Sequence, residues 1–283
     1  MKDFKGKTAF ITGGASGIGF GMAHAFGHAG MNVVIADIDF EVARKAAEML
    51  SKSQIKAVPI HCDVTLRSEV QRAALDAVAA FGKIHVVCNN AGVGVGGPLG
   101  TVGARDWDWI IDVNLKGVVY GVETFYPLIK SHGEGGHFVN TASMAGMVSP
   151  ANMEPYCATK FAVVAISEGW AQQLAPHGIG MSVLCPGFVK TRIHESSRAR
   201  QSRYGERAPD TRTDETRAEA AKMILGGMDP EIVGARVLEA IKANELYIFT
   251  HPEMKSAVHA RFEAIEAGFK RAEESEALKA AKK

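Results

Sequence analysis

Ser143, Tyr156 and Lys160 stand within one short window of the chain, and their types suit moving a proton to or from an oxygen. Tyr156 and Lys160 are four apart in the run Tyr156-Cys157-Ala158-Thr159-Lys160, which places both on one face of a helix. A free phenol ionises near pH ~10, so a tyrosine that works as a base at neutral pH needs a shift of about 3 units, or about 4 kcal/mol. An ammonium about 4 Å away, at an effective dielectric of about 20, supplies about 4 kcal/mol. The pair taken alone is weak evidence, because many helices carry a tyrosine and a lysine one turn apart. Its meaning depends on the elements that hold it.

Those elements alternate. Short apolar, β-branched runs at residues 8–12, 32–36, 56–60, 84–88, 137–141 and 180–185 are separated by stretches of helical character at 18–29, 41–50, 67–81, 106–131 and 156–175. Continuous apolar strands separated by helices predict an α/β fold: a single doubly wound, Rossmann-like parallel sheet with helices on both faces. A helix is expected at 230–243 and a last strand at 246–249. From 188 to 227 the alternation stops and the chain becomes polar, with Arg192, Arg198, Arg200, Arg203, Arg207, Arg212 and Arg217. A polar insertion of that length in a compact domain reads as a functional lid. Eight Lys/Arg against five Asp/Glu over 190–217 leave two readings, a basic mouth that draws an anion or a solvated surface. Residues 1–253 are expected to form one domain containing this lid. The tail 254–283 is expected to be an amphipathic helix with Val258, Phe262, Ile265 and Phe269 on one face, docking on the body or on a neighbouring subunit, its last residues frayed.

The turn after the first strand, Thr12-Gly13-Gly14-Ala15-Ser16-Gly17-Ile18-Gly19, opens the first helix, where a phosphate-binding turn belongs. Glycine lets the backbone approach a pyrophosphate, whose charge then faces the positive end of the helix. Asp37 ends the second run, about 20 residues past the turn, where a carboxylate bonds ribose hydroxyls. Aspartate repels a 2′-phosphate and neither Ser16 nor Ile38 offers a cation, so NAD is favoured over NADP. The alternative is that Asp37, like Asp39, merely caps a turn.

Composition narrows the partners. The 283 residues are 47% hydrophobic and 22% charged, with 32 Lys/Arg against 31 Asp/Glu, which gives no argument for nucleic acid or a membrane surface and leaves a small molecule as the expected partner. No run approaches 18 apolar residues, and the first residues lack the pattern of a signal peptide. Cys62, Cys88, Cys157 and Cys185 are scattered without C-x-x-C spacing, as in reduced thiols of a cytoplasmic protein. His24 and His28 share a helix face but have no third ligand nearby in sequence, and no metal is called for. Trp107 and Trp109 read as packing or subunit-interface residues.

The turn T-G-x-x-x-G-x-G, the tetrad Asn89-Asn90-Ala91-Gly92, Asn114 in Asn114-Leu115-Lys116-Gly117, Ser143, Tyr156-x-x-x-Lys160 and Pro186-Gly187 resemble, in order and spacing, the short-chain dehydrogenase/reductase family over residues 5–250. The resemblance implies a tetrad of Asn114, Ser143, Tyr156 and Lys160, with Tyr156 as general acid/base, Ser143 donating to the substrate oxygen, Lys160 lowering the tyrosine pKa with help from the positive nicotinamide ring and bonding the nicotinamide ribose, and Asn114 holding a relay water. It also implies a cofactor site that takes in Gly13, Ser16, Gly17, Ile18 and Gly19 of the turn, Asp37, Pro186 and Gly187, with Asp63 and Val64 bordering the adenine, Asn90 the adenosine ribose, and Val189 and Thr191 the nicotinamide carboxamide. A homotetramer or homodimer is implied as well.

Within that family, the opening Met-Lys-Asp-Phe, the run Ile193-His194-Glu195-Ser196-Ser197-Arg198 with Tyr204-Gly205, and the run Leu246-Tyr247-Ile248-Phe249-Thr250-His251-Pro252-Glu253 are similar to bacterial Cα-dehydrogenases, which oxidise the benzylic secondary alcohol of lignin-derived aryl ethers. The substrate implied is a bulky hydrophobic or aromatic secondary alcohol. Two alternatives stand beside it: a 3-oxoacyl- or steroid-type ketone reductase, and a non-catalytic NAD(H)-binding sensor or scaffold.

Overall fold

The computed structural model describes residues 1–206 and 213–280; Arg207 and Arg212 of the lid and the extreme end of the tail lie outside the described residues. Its contacts divide the chain into two units, Met1–Thr250 and His251–Lys283.

In the first unit seven strands form one parallel sheet: β1 (Thr8–Thr12), β2 (Asn32–Asp37), β3 (Ala57–His61), β4 (Val86–Asn89), β5 (Gly136–Thr141), β6 (Ile179–Cys185) and β7 (Tyr247–Phe249), in the order β3-β2-β1-β4-β5-β6-β7. The order reverses between β1 and β4, which makes the carboxyl ends of those strands the crevice where open sheets of this kind bind ligands. The helices are α1 (Gly17–His28), α2 (Phe40–Lys52), α3 (Arg67–Phe81), α4 (Ala104–Ile111), α5 (Gly117–His132), α6 (Glu154–Leu174), α7 (Asp214–Leu225) and α8 (Pro230–Ala243).

Both faces of the sheet are buried, which explains why its strands read as continuous apolar runs. Along β1 the side chains alternate: Ala9 and Ile11 join a core with Met22, Phe26, Val233 and Val237, whereas Phe10 joins Val70, Trp109, Phe125 and Phe138 on the other face. On the first face α1 crosses α8 almost backbone to backbone, since a Cβ on Gly21 would run into the Pro230 carbonyl and one on Gly234 into the Gly21 carbonyl.

Three local features differ from the sequence reading. The predicted helix 106–131 is α4 and α5 joined by a π turn at Asp112–Lys116, the kind of widened turn that re-aims a side chain. Among the described residues of the polar segment 188–227, two 3₁₀ turns, Ile193–Ala199 and Ser202–Tyr204, precede α7, whose Thr213 cap accepts from Thr216 N at 3.2 Å. Helix α7 escapes an apolar-periodicity search because it buries no residue. In the second unit the tail forms α9 (Lys255–Glu274) and α10 (Glu276–Ala280), interrupted at Ser275, with Phe262, Ile265 and Phe269 exposed.

Candidate active site

The glycine turn is fastened to the neighbouring strand end. Thr12 Oγ1 accepts from Asn90 N at 2.9 Å and Ala91 N at 3.1 Å, and the Asn90 amide donates to Thr12 O at 3.0 Å and Gly13 O at 3.3 Å. Gly13 (φ +60°) and Gly17 (φ +54°) take left-handed backbone, and a Cβ on Gly13 would sit 2.9 Å from Ala91 Cα. A Cβ on Gly19 would meet the Gly13 carbonyl, so only glycine closes the turn onto the helix. Ser16 caps α1 with an exposed hydroxyl that makes no capping bond, Ile18 is half-buried, and the first turn of α1 carries no acid, all of which suits an anion at its N–H groups.

Asp37 flanks this turn. Its Oδ2 accepts from Ala15 N at 3.3 Å and its Oδ1 from Asp39 N at 3.1 Å, which leaves one lone pair on each oxygen for two ribose hydroxyls. Burial raises its pKa above the ordinary carboxylate value, partly offset by those backbone donors. Asn90, by contrast, spends its amide bracing the turn, and its Oδ1 accepts from Thr141 Oγ1 at 3.3 Å. The cradle only glycine permits, the open helix start and the half-committed Asp37 fit a dinucleotide.

The chemistry-bearing side chains gather at the ends of β4, β5 and β6. Ser143, just past β5, accepts from Ala145 N at 3.1 Å, donates to Pro186 O at 3.4 Å and shares a hydrogen bond with the Tyr156 phenol. Lys160 is buried, donates to Thr141 O at 2.8 Å and holds Nζ 5.5 Å from the centre of the Tyr156 ring. Asn114, in the π turn, accepts from Val93 N at 2.8 Å and donates to Val93 O at 3.0 Å and Thr159 Oγ1 at 3.3 Å. Gly92 is where the two meet: a Cβ there would touch Asn114 Oδ1 at 3.4 Å and Lys160 Nζ at 3.6 Å. Val189 is buried and bridges to Met228, Thr191 packs its methyl on the position of a Gly17 Cβ, and Val64 packs against Gly117. Gly187 follows Pro186 at the same edge.

Burial dominates the electrostatics of Tyr156 and Lys160. Burial pushes the Tyr156 phenol up to about 12, with the Ser143 bond pulling the other way, and burial brings the Lys160 ammonium down to about 8. Desolvation therefore dominates at the phenol in the protein by itself.

The lid contributes contacts that the sequence did not reveal. Arg200 Nη1 lies 2.8 Å from Asp106 Oδ1, both side chains almost fully buried, an ion pair off the line of a hydrogen bond. Trp109 Nε1 donates to Gln201 Oε1 at 3.0 Å, Tyr204 OH to Asp112 Oδ2 at 2.6 Å, and Gly94 N to Ser196 Oγ at 2.9 Å. Arg203 and Gln201 donate to Asp63 Oδ2 and Oδ1 at 2.8 and 3.1 Å, and Arg198 exerts a favourable field on Asp37. The arginines of the lid that pair in this way are latches, neither an anion-collecting mouth nor a merely solvated face. Their number was visible in the sequence; their acidic partners lie about a hundred residues away and carried no signal.

Away from this edge, His85, His132 and Glu134 cluster near the amino end of β4. Their ring nitrogens bond Thr8 N, Glu134 Oε2, Ile84 O and Glu134 N, so none offers a metal an uncommitted lone pair.

Comparison with known proteins agrees with this architecture. Residues 7–202 match the family model described as short chain dehydrogenase. The chain belongs to the short-chain dehydrogenase/reductase family. It is 39% identical over 266 residues to a C alpha-dehydrogenase of Sphingobium sp. (strain NBRC 103272 / SYK-6), covering 94% of this chain and 87% of that protein. It is 37% identical over 190 residues to a diacetyl reductase [(S)-acetoin forming] of Staphylococcus aureus (strain Mu50 / ATCC 700699), covering 67% of this chain and 74% of that protein. The crystal structure of a short-chain dehydrogenase/reductase from Burkholderia phymatum in complex with NAD superposes with a TM-score of 0.91 at 37% identity, covering 95% of this chain and 97% of the other. The protein is an NAD-dependent oxidoreductase of this family acting on alcohol or ketone substrates. Among the described residues no helix is long and apolar enough to cross a membrane, and all four cysteines are buried and unpaired.

Proposed function

We propose that the protein oxidises a bulky hydrophobic or aromatic secondary alcohol to the ketone, with Tyr156 as the general base and, in the reverse direction, the general acid. The observation that carries this reading is the junction of Ser143, Tyr156 and Lys160: a phenol bonded to a serine hydroxyl, with a buried ammonium 5.5 Å from its ring centre. Bound NAD supplies the hydride acceptor and, in its oxidised form, a positive charge. Tyr156 takes the hydroxyl proton, Ser143 donates to the substrate oxygen as charge changes on it, and Lys160 stabilises the phenolate. Asn114 holds a water that passes protons between Lys160 and solvent; the approach of both side chains to Gly92 supports this relay. The cofactor rests on Gly13, Ser16, Gly17, Ile18 and Gly19, with its adenosine end at Asp37, Asp63, Val64 and Asn90 and its nicotinamide end at Pro186, Gly187, Val189 and Thr191, beside Tyr156 and Lys160.

The substrate class draws support from apolar side chains at this edge, with Val93, Val95 and Met144 buried and Met153 exposed, and from the similarity to the C alpha-dehydrogenase. Exposed Tyr247 and Phe249, stacked 6.1 Å apart on the edge strand β7, support a homo-oligomer built through that edge.

Tyr156→Phe tests the chemistry. The variant should lose at least about 100-fold in kcat on an aryl secondary alcohol, the scale of general acid–base catalysis, while binding NAD as the wild type does. Retained turnover would remove Tyr156 from the mechanism. Assaying aryl, steroidal, aliphatic and acyl alcohols with NAD and with NADP tests the substrate class, and a preference for small aliphatic alcohols would overturn it.

A further inference from the structure

The lid reaches the far end of the cofactor groove. In the sheet order β3-β2-β1, the glycine turn ends β1 and Asp37 ends β2 with its carboxylate against Ala15 N. A dinucleotide with its pyrophosphate on the turn and a ribose on Asp37 therefore carries its base onward to the end of β3. There Cys62 N donates to Asp37 O at 2.9 Å and the next residue is Asp63. The Asp63 carboxylate is buried, and its acceptor sites can be counted. Oδ1 takes Thr65 N at 3.0 Å, Thr65 Oγ1 at 2.6 Å and Gln201 Nε2 at 3.1 Å, which fills it. Oδ2 takes only Arg203 Nη2, at 2.8 Å, and keeps one lone pair.

Arg203 is itself held in place. The same Nη2 contacts Thr65 Oγ1, and the guanidinium lies 5.0 Å from the Tyr204 ring centre, while Tyr204 is anchored on Asp112. Gln201 is anchored through Trp109. Two successive anchors on rigid helical elements thus present two donors to one carboxylate, across about 140 residues of sequence.

We propose that Arg203 and Gln201 are positioning residues for the adenosine half of the cofactor: they fix the Asp63 carboxylate so that its one uncommitted Oδ2 lone pair receives the exocyclic amine of the base. This rests on the reading of Asp37 as the ribose ligand. It makes the lid a part of the cofactor site as well as a cover for the alcohol, so that groove occupancy and lid position are linked.

The test is equilibrium binding by calorimetry of ADP-ribose, of its hypoxanthine analogue, in which a carbonyl replaces the amine, and of nicotinamide mononucleotide, to the full chain. Wild-type protein should bind ADP-ribose about 10-fold tighter than the hypoxanthine analogue, the scale of a hydrogen bond to a charged group. Arg203→Ala should weaken ADP-ribose about 10-fold, bring the two analogues within about twofold of each other, and leave nicotinamide mononucleotide unchanged. Arg203→Lys should restore part of the discrimination, because it keeps one charged donor. Arg203→Gln serves where the alanine variant fails to fold. Unchanged or tighter ADP-ribose binding by the variants, with only the KM for the alcohol raised, overturns the proposal and leaves the latch a support for the lid alone. Failure of the wild type to bind ADP-ribose overturns the reading of the groove itself, and the proposal with it.

Discussion

Replacing Lys160 by methionine should stabilise the fold while abolishing turnover. Burial lowers this lysine from an ordinary 10.5 to about 8, so at neutral pH the protein carries a buried ammonium it holds at a cost. A depression of about 2.5 units corresponds to about 3 kcal/mol. Methionine is similar in length and flexible enough to fill the same space. Against the gain stands the bond from Nζ to Thr141 O at 2.8 Å, whose loss leaves a buried carbonyl short of a partner, at about 1 kcal/mol. The net expectation at pH 7 is about 2 kcal/mol in favour of Lys160→Met. The sign of its pH dependence follows from the proton count. The folded pKa lies below the unfolded one, so between about 8 and 10.5 the unfolded chain binds more protons and wild-type stability rises through that window. The advantage of the variant should therefore be constant below pH 8, shrink as pH rises, and reverse slightly near 10.5. Urea denaturation of both proteins at several pH values, followed by tryptophan fluorescence, reads the difference directly. A variant less stable than wild type at pH 7, or a difference that does not change with pH, would refute the reasoning.

Two further changes probe the groove and the frame beneath it. Asp37→Ala should weaken NAD and move the kcat/KM ratio toward NADP by about 100-fold, because a carboxylate near a 2′-phosphate costs about 3 kcal/mol at an effective dielectric of about 20. Adding Arg198→Ala should cancel much of the NADP gain, since the lid brings that cation to bear on the same position; an unchanged NADP rate in the double variant would exclude Arg198. Gly21→Ala should force α1 and α8 apart, because its Cβ meets the Pro230 carbonyl, and should lower stability by about 1–3 kcal/mol in the same urea assay.

The strands and the motif residues were legible in the sequence for a shared reason: each is encoded locally. A strand buried on both faces must be apolar throughout, as residues 33–36 are, and a glycine that no other residue can replace, such as Gly19, announces a turn by its type. Contacts that join distant segments left no such trace. Asp106 and Asp112 carry no local mark, and Asp63 is expected only beside the adenine, yet Arg200, Tyr204 and Arg203 claim them. The orientation of Asn90 and Asn114 was hidden too. Both were readable as polar residues near the groove, but only coordinates reveal that the first spends its amide on the glycine turn and the second on Val93.

The balance at Tyr156 connects these two kinds of information. Bringing a phenol from about 12 to neutrality takes about 5 units, or about 7 kcal/mol. A lysine charge at a separation near 5.5 Å supplies about 3 kcal/mol at an effective dielectric of about 20. Lys160 therefore covers less than half of the shift, and it loses its own proton as pH rises past about 8, so it cannot act alone in alkaline solution. On the proposed roles the remainder arrives with the positive charge of the oxidised cofactor, because the Ser143 bond is already counted in the value of about 12. On the proposed roles, Tyr156 becomes an effective base only while the groove is filled. A lid that grips Asp63 at the adenosine end then bears on proton transfer at the other end without touching it, because it helps set how long the charge that ionises the phenol remains in place.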